Sequence, residues 1–254
     1  MQLNNKVVVV TGSGNGIGEA FARRFTAEGA RVVVTDIEPD ACARVARDIG
    51  GVGLACDITR EEDVQKVAKL ARDTHGRIDI WFSNAGHSGP REPASLQDDA
   101  TWDLAWRLHV MSHVYAARAV LPEMTARGEG YLIQTASSVA LSTQADKVAY
   151  SVTKHGALAL SEWLDLHYRP KGVRVSCFCP GAMMTRMLRS NDLPDDHPVM
   201  RSALTPEQVA EVLVQGIADE RFLILFPGST LLQSLSDKAE DYDGWLAAQG
   251  APFR

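Results

Sequence analysis

The chain has 254 residues, 45% of them hydrophobic, enough to bury one large core; a single α/β domain spanning 1–254 is expected. Its formal net charge is −6 and no long run of Lys or Arg occurs, which argues against nucleic acid or a membrane surface as partner and leaves small molecules. The N-terminus passes directly into "KVVVVTG" with no signal-peptide core, and no apolar run could span a bilayer, so a cytoplasmic location is expected.

Short β-branched runs recur in chain order: VVVVT (7–11), RVVVTD (31–36), VGLACD (52–57), IDIWFSN (78–84), YLIQTAS (131–137), VRVSCFCP (173–180) and FLILF (222–226). Helix-like stretches separate them. That alternation predicts a Rossmann-like, doubly wound parallel sheet of about seven strands with helices on both faces, and the nearly unbroken apolar runs suit strands buried on both sides. In "TREEDVQKVAKLARDTHG" Thr59 stands as N-cap with Glu62 as its capping-box partner. Residues 98–127 and 148–169 read as longer helices flanking "YLIQTAS". The segment 183–204, broken by Pro194 and Pro198 and carrying Met183, Met184, Met187 and Met200, reads as a substrate-lid insertion. Cys42, Cys56, Cys177 and Cys179 lack metal-site spacing and read as buried reduced thiols, with Cys177 and Cys179 facing the same way on a strand. His87, His113, His155 and His197 form no metal pattern either, and no metal is expected.

After the first strand comes "TGSGNGIGEA", leading into a helix that begins near Ile17. Glycines let backbone approach a pyrophosphate, whose charge is stabilised by free N–H groups at a helix start. The string is not G-x-G-x-x-G; it is G-x-x-x-G-x-G, from Gly12, Gly16 and Gly18. The second strand ends in Asp36, about 20 residues on, where a carboxylate can accept from the adenosine ribose hydroxyls and so favours NAD. A 2′-phosphate would meet like charge there, and neither the loop nor Ile37 supplies a basic residue to offset it, which disfavours NADP. A helix-capping role for Asp36 is the plain alternative.

In "AYSVTKHGALALSEWL" Tyr150 and Lys154 stand one turn apart, so a phenol and an ammonium share a helix face. His155, Gly156 and Ala157 follow, and the small residues let that helix lie close to its neighbours. Together "TGSGNGIG", "CDIT" with Asp57, "SNAG" at 83–86, Tyr150 with Lys154 and "PGAMMT" at 180–185 resemble the short-chain dehydrogenase/reductase family in order and spacing over nearly the whole chain.

The resemblance implies an oxidoreductase acting on a secondary alcohol or ketone. It implies coenzyme contacts from Gly12, Asn15, Gly16, Ile17 and Gly18, from Asp57 and the backbone of Ile58 at the adenine, and from Asn84, Ala85 and Gly86. Pro180, Gly181 and Thr185 would follow at the nicotinamide, beside Tyr150 and Lys154. Asp57 as a turn cap and Thr185 as a helix N-cap are the plain alternatives. The family's serine lies thirteen residues before its tyrosine, which selects Ser137, with Ser138 second. In the implied chemistry Tyr150 is the general base of oxidation and the acid of reduction. Lys154 and the oxidised nicotinamide favour the tyrosinate, and Ser137 stabilises charge on the substrate oxygen.

Many relatives carry an asparagine where this chain has His109, whose main-chain carbonyl could preserve a proton relay and whose imidazole could add a pH-dependent step; simple packing is the alternative. The methionines of 183–204, with Leu188, suggest a medium-sized, largely apolar substrate. Asp192, Asp195, Asp196 and Arg201 are polar contacts in a rival reading. A homotetramer or homodimer through the helices at 98–127 and 148–169 is also implied. A cofactor-binding sensor or scaffold without turnover is the alternative from another class.

Overall fold

The computed structural model describes residues 1–90, 96–185, 188, 194 and 196–250. Seven parallel strands form one sheet: β1 (Val7–Thr11), β2 (Arg31–Asp36), β3 (Val52–Ala55), β4 (Ile80–Ser83), β5 (Gly130–Thr135), β6 (Val173–Pro180) and β7 (Leu223–Phe226). Their order is β3-β2-β1-β4-β5-β6-β7. The chain crosses from β3 at one edge to β4 beside β1, so the switch point where such sheets bind ligands lies between β1 and β4. The predicted doubly wound parallel architecture is present.

Strand alternation divides the core. Val8, Val10, Val32 and Val34 pack with Phe21 and Phe25 of α1 (Gly16–Ala27), Val45 of α2 (Pro39–Asp48) and Leu213 of α7 (Pro206–Ala218). Val9, Val33, Trp81, Leu132 and Val175 face the other way, onto Val64 and Val67 of α3 (Glu61–His75), Val120 of α5 (Ser112–Arg127) and Leu164 of α6 (Val148–Tyr168). Burying both faces explains why these strands carry runs of valine rather than polar alternation.

Two local expectations change. Helix α3 starts at Glu61 with Arg60 as N-cap, and no side chain caps it. Thr59 instead donates its hydroxyl to Asp57 Oδ1 at 2.7 Å, so the Thr59–Glu62 capping box is not formed. The run at 98–127 is not one regular helix: α4 (Asp99–Trp106) and α5 are joined through a π turn, Arg107–Met111, with His109 at its centre. Gly156 explains the close approach of α6 to this turn, since a Cβ there would lie 3.2 Å from Val110 Cγ2.

Cys177 and Cys179 face the same way as expected, both buried and free, with Sγ atoms 3.7 Å apart. Met187, Asp192 and Asp195 lie outside the described residues. The ends of the 183–204 segment are stitched together, Met184 N–H donating to the Leu204 carbonyl at 2.8 Å. Among the described residues no helix is long and apolar enough to cross a membrane, and no group of His, Cys, Asp or Glu could hold a metal ion.

Candidate active site

The carboxyl ends of β1, β4, β5 and β6 lie side by side at one edge of the parallel sheet. Gly12 and Gly16 turn with φ of +65° and +57°, a region only glycine enters without strain. A Cβ on Gly12 would lie 2.8 Å from Ala85 Cα, whereas one on Gly16 would meet nothing within 4 Å. The loop is thus pressed against "SNAG" on one side and open on the other, at the start of α1. Asn15 caps that helix without a side-chain hydrogen bond, so the first N–H groups of α1, which have no partner within the helix, are not claimed by its amide. This is a cradle that fits a dinucleotide pyrophosphate.

Asn84 fastens the two strands at the switch point. Its Nδ2 donates to the Thr11 carbonyl at 3.0 Å, and its own N–H and that of Ala85 donate to Thr11 Oγ1 at 2.9 and 3.0 Å. Asn84 Oδ1 is buried without a partner. Asp36 Oδ2 accepts from Gly14 N–H at 2.8 Å and Oδ1 from Glu38 N–H at 3.1 Å. Asp57 takes both the N–H and hydroxyl of Thr59 on Oδ1, the turn-capping geometry, while Ile58 is buried beside it. Thr185 Oγ1 accepts from Leu188 N–H at 3.3 Å, and Gly181 N–H donates to Phe226 O at 2.7 Å, fixing the strand end after Pro180.

Ser137, Tyr150 and Lys154 meet where β5 ends. Ser137 N-caps the short 3₁₀ turn Ser138–Ala140 and its side chain hydrogen-bonds the Tyr150 phenol. The carbonyl of Ser138 accepts from Leu141 N–H and the Ser142 hydroxyl. Lys154 Nζ donates to the Thr135 carbonyl at 2.9 Å and lies 5.7 Å from the Tyr150 ring centre. A Cβ on Gly86 would come within 3.8 Å of that ammonium, which ties the phenol–ammonium pair to the glycine-loop side through Gly86, Ala85 and Gly12.

The electrostatics depart from the expected acidified phenol. Burial pushes Tyr150 above its usual value, and the hydrogen bond from Ser137 opposes that only in part. Burial also lowers Lys154 to about 8, the Cys177 and Cys179 thiols acting in the opposite direction. In the chain by itself desolvation outweighs the pull of the lysine on the tyrosine.

His109 is buried, with Nε2 2.9 Å from the His87 carbonyl and Nδ1 2.8 Å from Thr153 Oγ1, which itself lies 2.7 Å from Ala149 O. A carbonyl only accepts, so Nε2 carries the proton and the Thr153 hydroxyl serves Nδ1. Its edge packs on Tyr150, ring centres 5.4 Å apart. Burial, then the charge of Lys154, drive its pKa well below the usual value. The imidazole is therefore neutral near pH 7, and the expected neutral-range titration there is not supported. It tethers the segment after β4 to α6.

Sequence reasoning missed Arg44. From α2 its Nη2 donates to the Gly14 carbonyl at 2.9 Å, so a basic residue does stand at the loop after all. Only its place on α2, which packs beside β2 and the loop, could have suggested this.

A short chain dehydrogenase family model matches residues 6–195. The chain is 34% identical over 248 residues to 1-deoxy-11-beta-hydroxypentalenate dehydrogenase of Streptomyces exfoliatus, covering 95% of this chain and 90% of that one. A short-chain dehydrogenase/reductase from Burkholderia phymatum in complex with NAD superposes with a TM-score of 0.85 at 25% identity, over 96% of each chain. A 7 alpha-hydroxysteroid dehydrogenase complexed with NADH and 7-oxo glycochenodeoxycholic acid superposes at 0.80 with 30% identity, over 88% of this chain and 92% of that one. The chain belongs to the short-chain dehydrogenase/reductase family, nicotinamide-dependent oxidoreductases acting on CH–OH groups.

Proposed function

We propose that the protein is an NAD-dependent dehydrogenase interconverting a secondary alcohol and a ketone on a largely apolar, fused-ring substrate, with Tyr150 as general acid/base. The observation that carries this reading is the meeting of Ser137, Tyr150 and Lys154 beside the glycine cradle. A bound nicotinamide dinucleotide supplies the hydride carrier and, when oxidised, a positive charge near the phenol. The Ser137 and Tyr150 hydroxyls hold one substrate oxygen between them. Tyr150 Oη accepts the hydroxyl proton in oxidation and returns it in reduction, while Ser137 donates to the oxygen as charge develops. Lys154 is anchored to the Thr135 carbonyl, and its remaining N–H groups would be the ones to hold the coenzyme ribose.

Asp36 at the end of β2 supports NAD, as do the NAD and NADH complexes of the structural relatives. The hydroxypentalenate and hydroxysteroid relatives support a fused-ring substrate. Met183 and Leu204 pack half-buried on the core and Leu188 and Met200 are buried, an apolar lining suited to such a body. Exposed Leu104 and Trp106 on α4 with Val152, Trp163 and Leu166 on α6 support a homodimer or homotetramer.

The test follows nicotinamide absorbance against a panel of fused-ring secondary alcohols and ketones with NAD and NADP. Tyr150→Phe should retain NADH binding and lose about 10²- to 10⁴-fold in kcat; an unchanged rate refutes the mechanism. Tight NADH binding with no turnover of any panel member by the wild type would favour the sensor alternative.

A further inference from the structure

The adenosine end of the cradle carries a cation supplied from outside the glycine loop and the strand end. Arg44 Nη2 donates to the Gly14 carbonyl at 2.9 Å, and the N–H of the same glycine donates to Asp36 Oδ2 at 2.8 Å. Gly14 is held by both its backbone polar groups, one by a guanidinium and one by a carboxylate. The two opposite charges therefore stand within about one residue of each other. Nothing can be inserted between loop and acid, because a Cβ on Gly14 would meet Asp36 Cβ, Cγ and Oδ2 at 2.9 Å.

Arg44 is restrained rather than idle. Its Nη1 and Nη2 donate to Glu19 Oε1 and Oε2 at 2.9 and 2.7 Å. Glu19 also receives Arg23, which bridges on to Asp48. Two cations and two anions thus close over the start of α1, with the Arg44 side chain 41% exposed. Ion pairs at such exposure are weak, whereas a phosphate offers a guanidinium a doubly charged, bidentate partner. A phosphate reaching this rim can draw Arg44 from Glu19 at small cost, but it also meets the Asp36 carboxylate, which holds the other backbone group of Gly14.

We propose that Asp36 and Arg44 act as a pair that sets which dinucleotide the ribose subsite admits: the carboxylate excludes a 2′-phosphate, and Arg44 becomes its ligand once that carboxylate is removed. The inference rests on the proposed placement of the adenosine ribose at Asp36. It makes Arg44 a latent specificity determinant, so that a single substitution at the strand end switches the coenzyme without adding a basic residue.

The experiment measures Kd for NADH and NADPH by nicotinamide fluorescence, on wild type, D36A, D36A/R44A, D36A/R44K and D36A/E19Q, with thermal melts to establish folding. The readout is the ratio of the NADH to the NADPH Kd. D36A should raise it at least about tenfold, the size of one charge-assisted hydrogen bond. D36A/R44A should return most of that gain, D36A/R44K should keep part of it, and D36A/E19Q should raise the ratio further by freeing the guanidinium. Equal ratios in D36A and D36A/R44A overturn the proposal, as does a loss in D36A/R44A that weakens both coenzymes alike, because Arg44 then only positions the loop. A wild type that already binds NADPH more tightly than NADH ends the NAD reading instead; R44A in that background should then lower the ratio, and an unmoved ratio overturns the role of Arg44 as well.

Discussion

Lys154 is a destabilising residue at neutral pH, and the size of that effect is measurable. The ammonium is nearly inaccessible, 4% exposed, and burial lowers its pKa from 10.5 to about 8. A base whose folded pKa lies below its unfolded one binds fewer protons when folded. Stability therefore rises with pH across the window from about 8 to 10.5, and the full penalty applies below about 8. A shift of this size corresponds to about 3 kcal/mol at pH 7, falling to about 1 kcal/mol at pH 9.5. Lys154→Met keeps the length of the side chain and removes the charge, while leaving the Thr135 carbonyl without its donor. That loss and any packing change are independent of pH, so the pH dependence isolates the charge. Urea unfolding of both proteins at pH 7 and pH 9.5 should show the wild type gaining about 2 kcal/mol relative to the variant, below the range where the raised Tyr150 ionises. Parallel stability curves would mean that the lysine is not strained by its site and would refute the reasoning. Activity should be lost in the variant throughout, as expected where a functional group is held at a cost in stability.

Ser137→Ala removes the one hydrogen bond that lowers the phenol pKa; kcat should fall about 10²-fold or more with NADH affinity unchanged, as read by steady-state kinetics and fluorescence titration. His113 is fully enclosed, and burial lowers its pKa to about 3. The unfolded chain then takes up a proton below about 6.5 that the folded one refuses, so stability falls with acidity. The loss from this group between pH 7 and pH 5 is about 2 kcal/mol, and urea melts of His113→Leu should lack it. Gly18→Ala would drive its methyl into the Gly12 carbonyl and toward Asn84 Nδ2; the variant should lose NADH binding by more than about tenfold while far-UV circular dichroism remains that of the wild type.

Much of this architecture was legible because it follows from local pattern. β1, β2 and β6 fall on the expected residues, since β-branched runs bounded by turn residues leave a buried strand little freedom. The thiol pair on β6 and the close approach at Gly156 follow from alternation and from size. What was not legible depends on which of several possible partners each group finds in the fold. Thr59 has the residue type of a cap, yet a better acceptor two residues back, Asp57, claims its hydroxyl. The π turn at His109 arises where the buried imidazole must reach both His87 O and Thr153, and no periodicity announces it. Arg44 reaches Gly14 across a separation of thirty residues. The effect of burial on the phenol was not legible either: the sequence places a cation next to Tyr150, but only the fold states how much water both have lost.

That last point bears on how the site works as a unit. Each charged or polar participant is held by backbone groups at or just past a strand end: Lys154 by Thr135 O at the end of β5, the amide of Asn84 by Thr11 O at the end of β1, and Asp36 by Gly14 N–H in the loop between β1 and α1. Main-chain atoms of a seven-stranded sheet cannot move independently, so the distances among these groups are fixed by strand register rather than by side-chain rotamers. A phenol left protonated by burial, next to a lysine whose charge is marginal at pH 8, is poised so that one further positive charge beside it favours the tyrosinate, whose negative charge in turn holds Lys154 as the ammonium. Preorganisation of this kind places the cost in folding stability, where the Lys154→Met measurement reads it, and spares the chemical step from rearranging the groups that carry it.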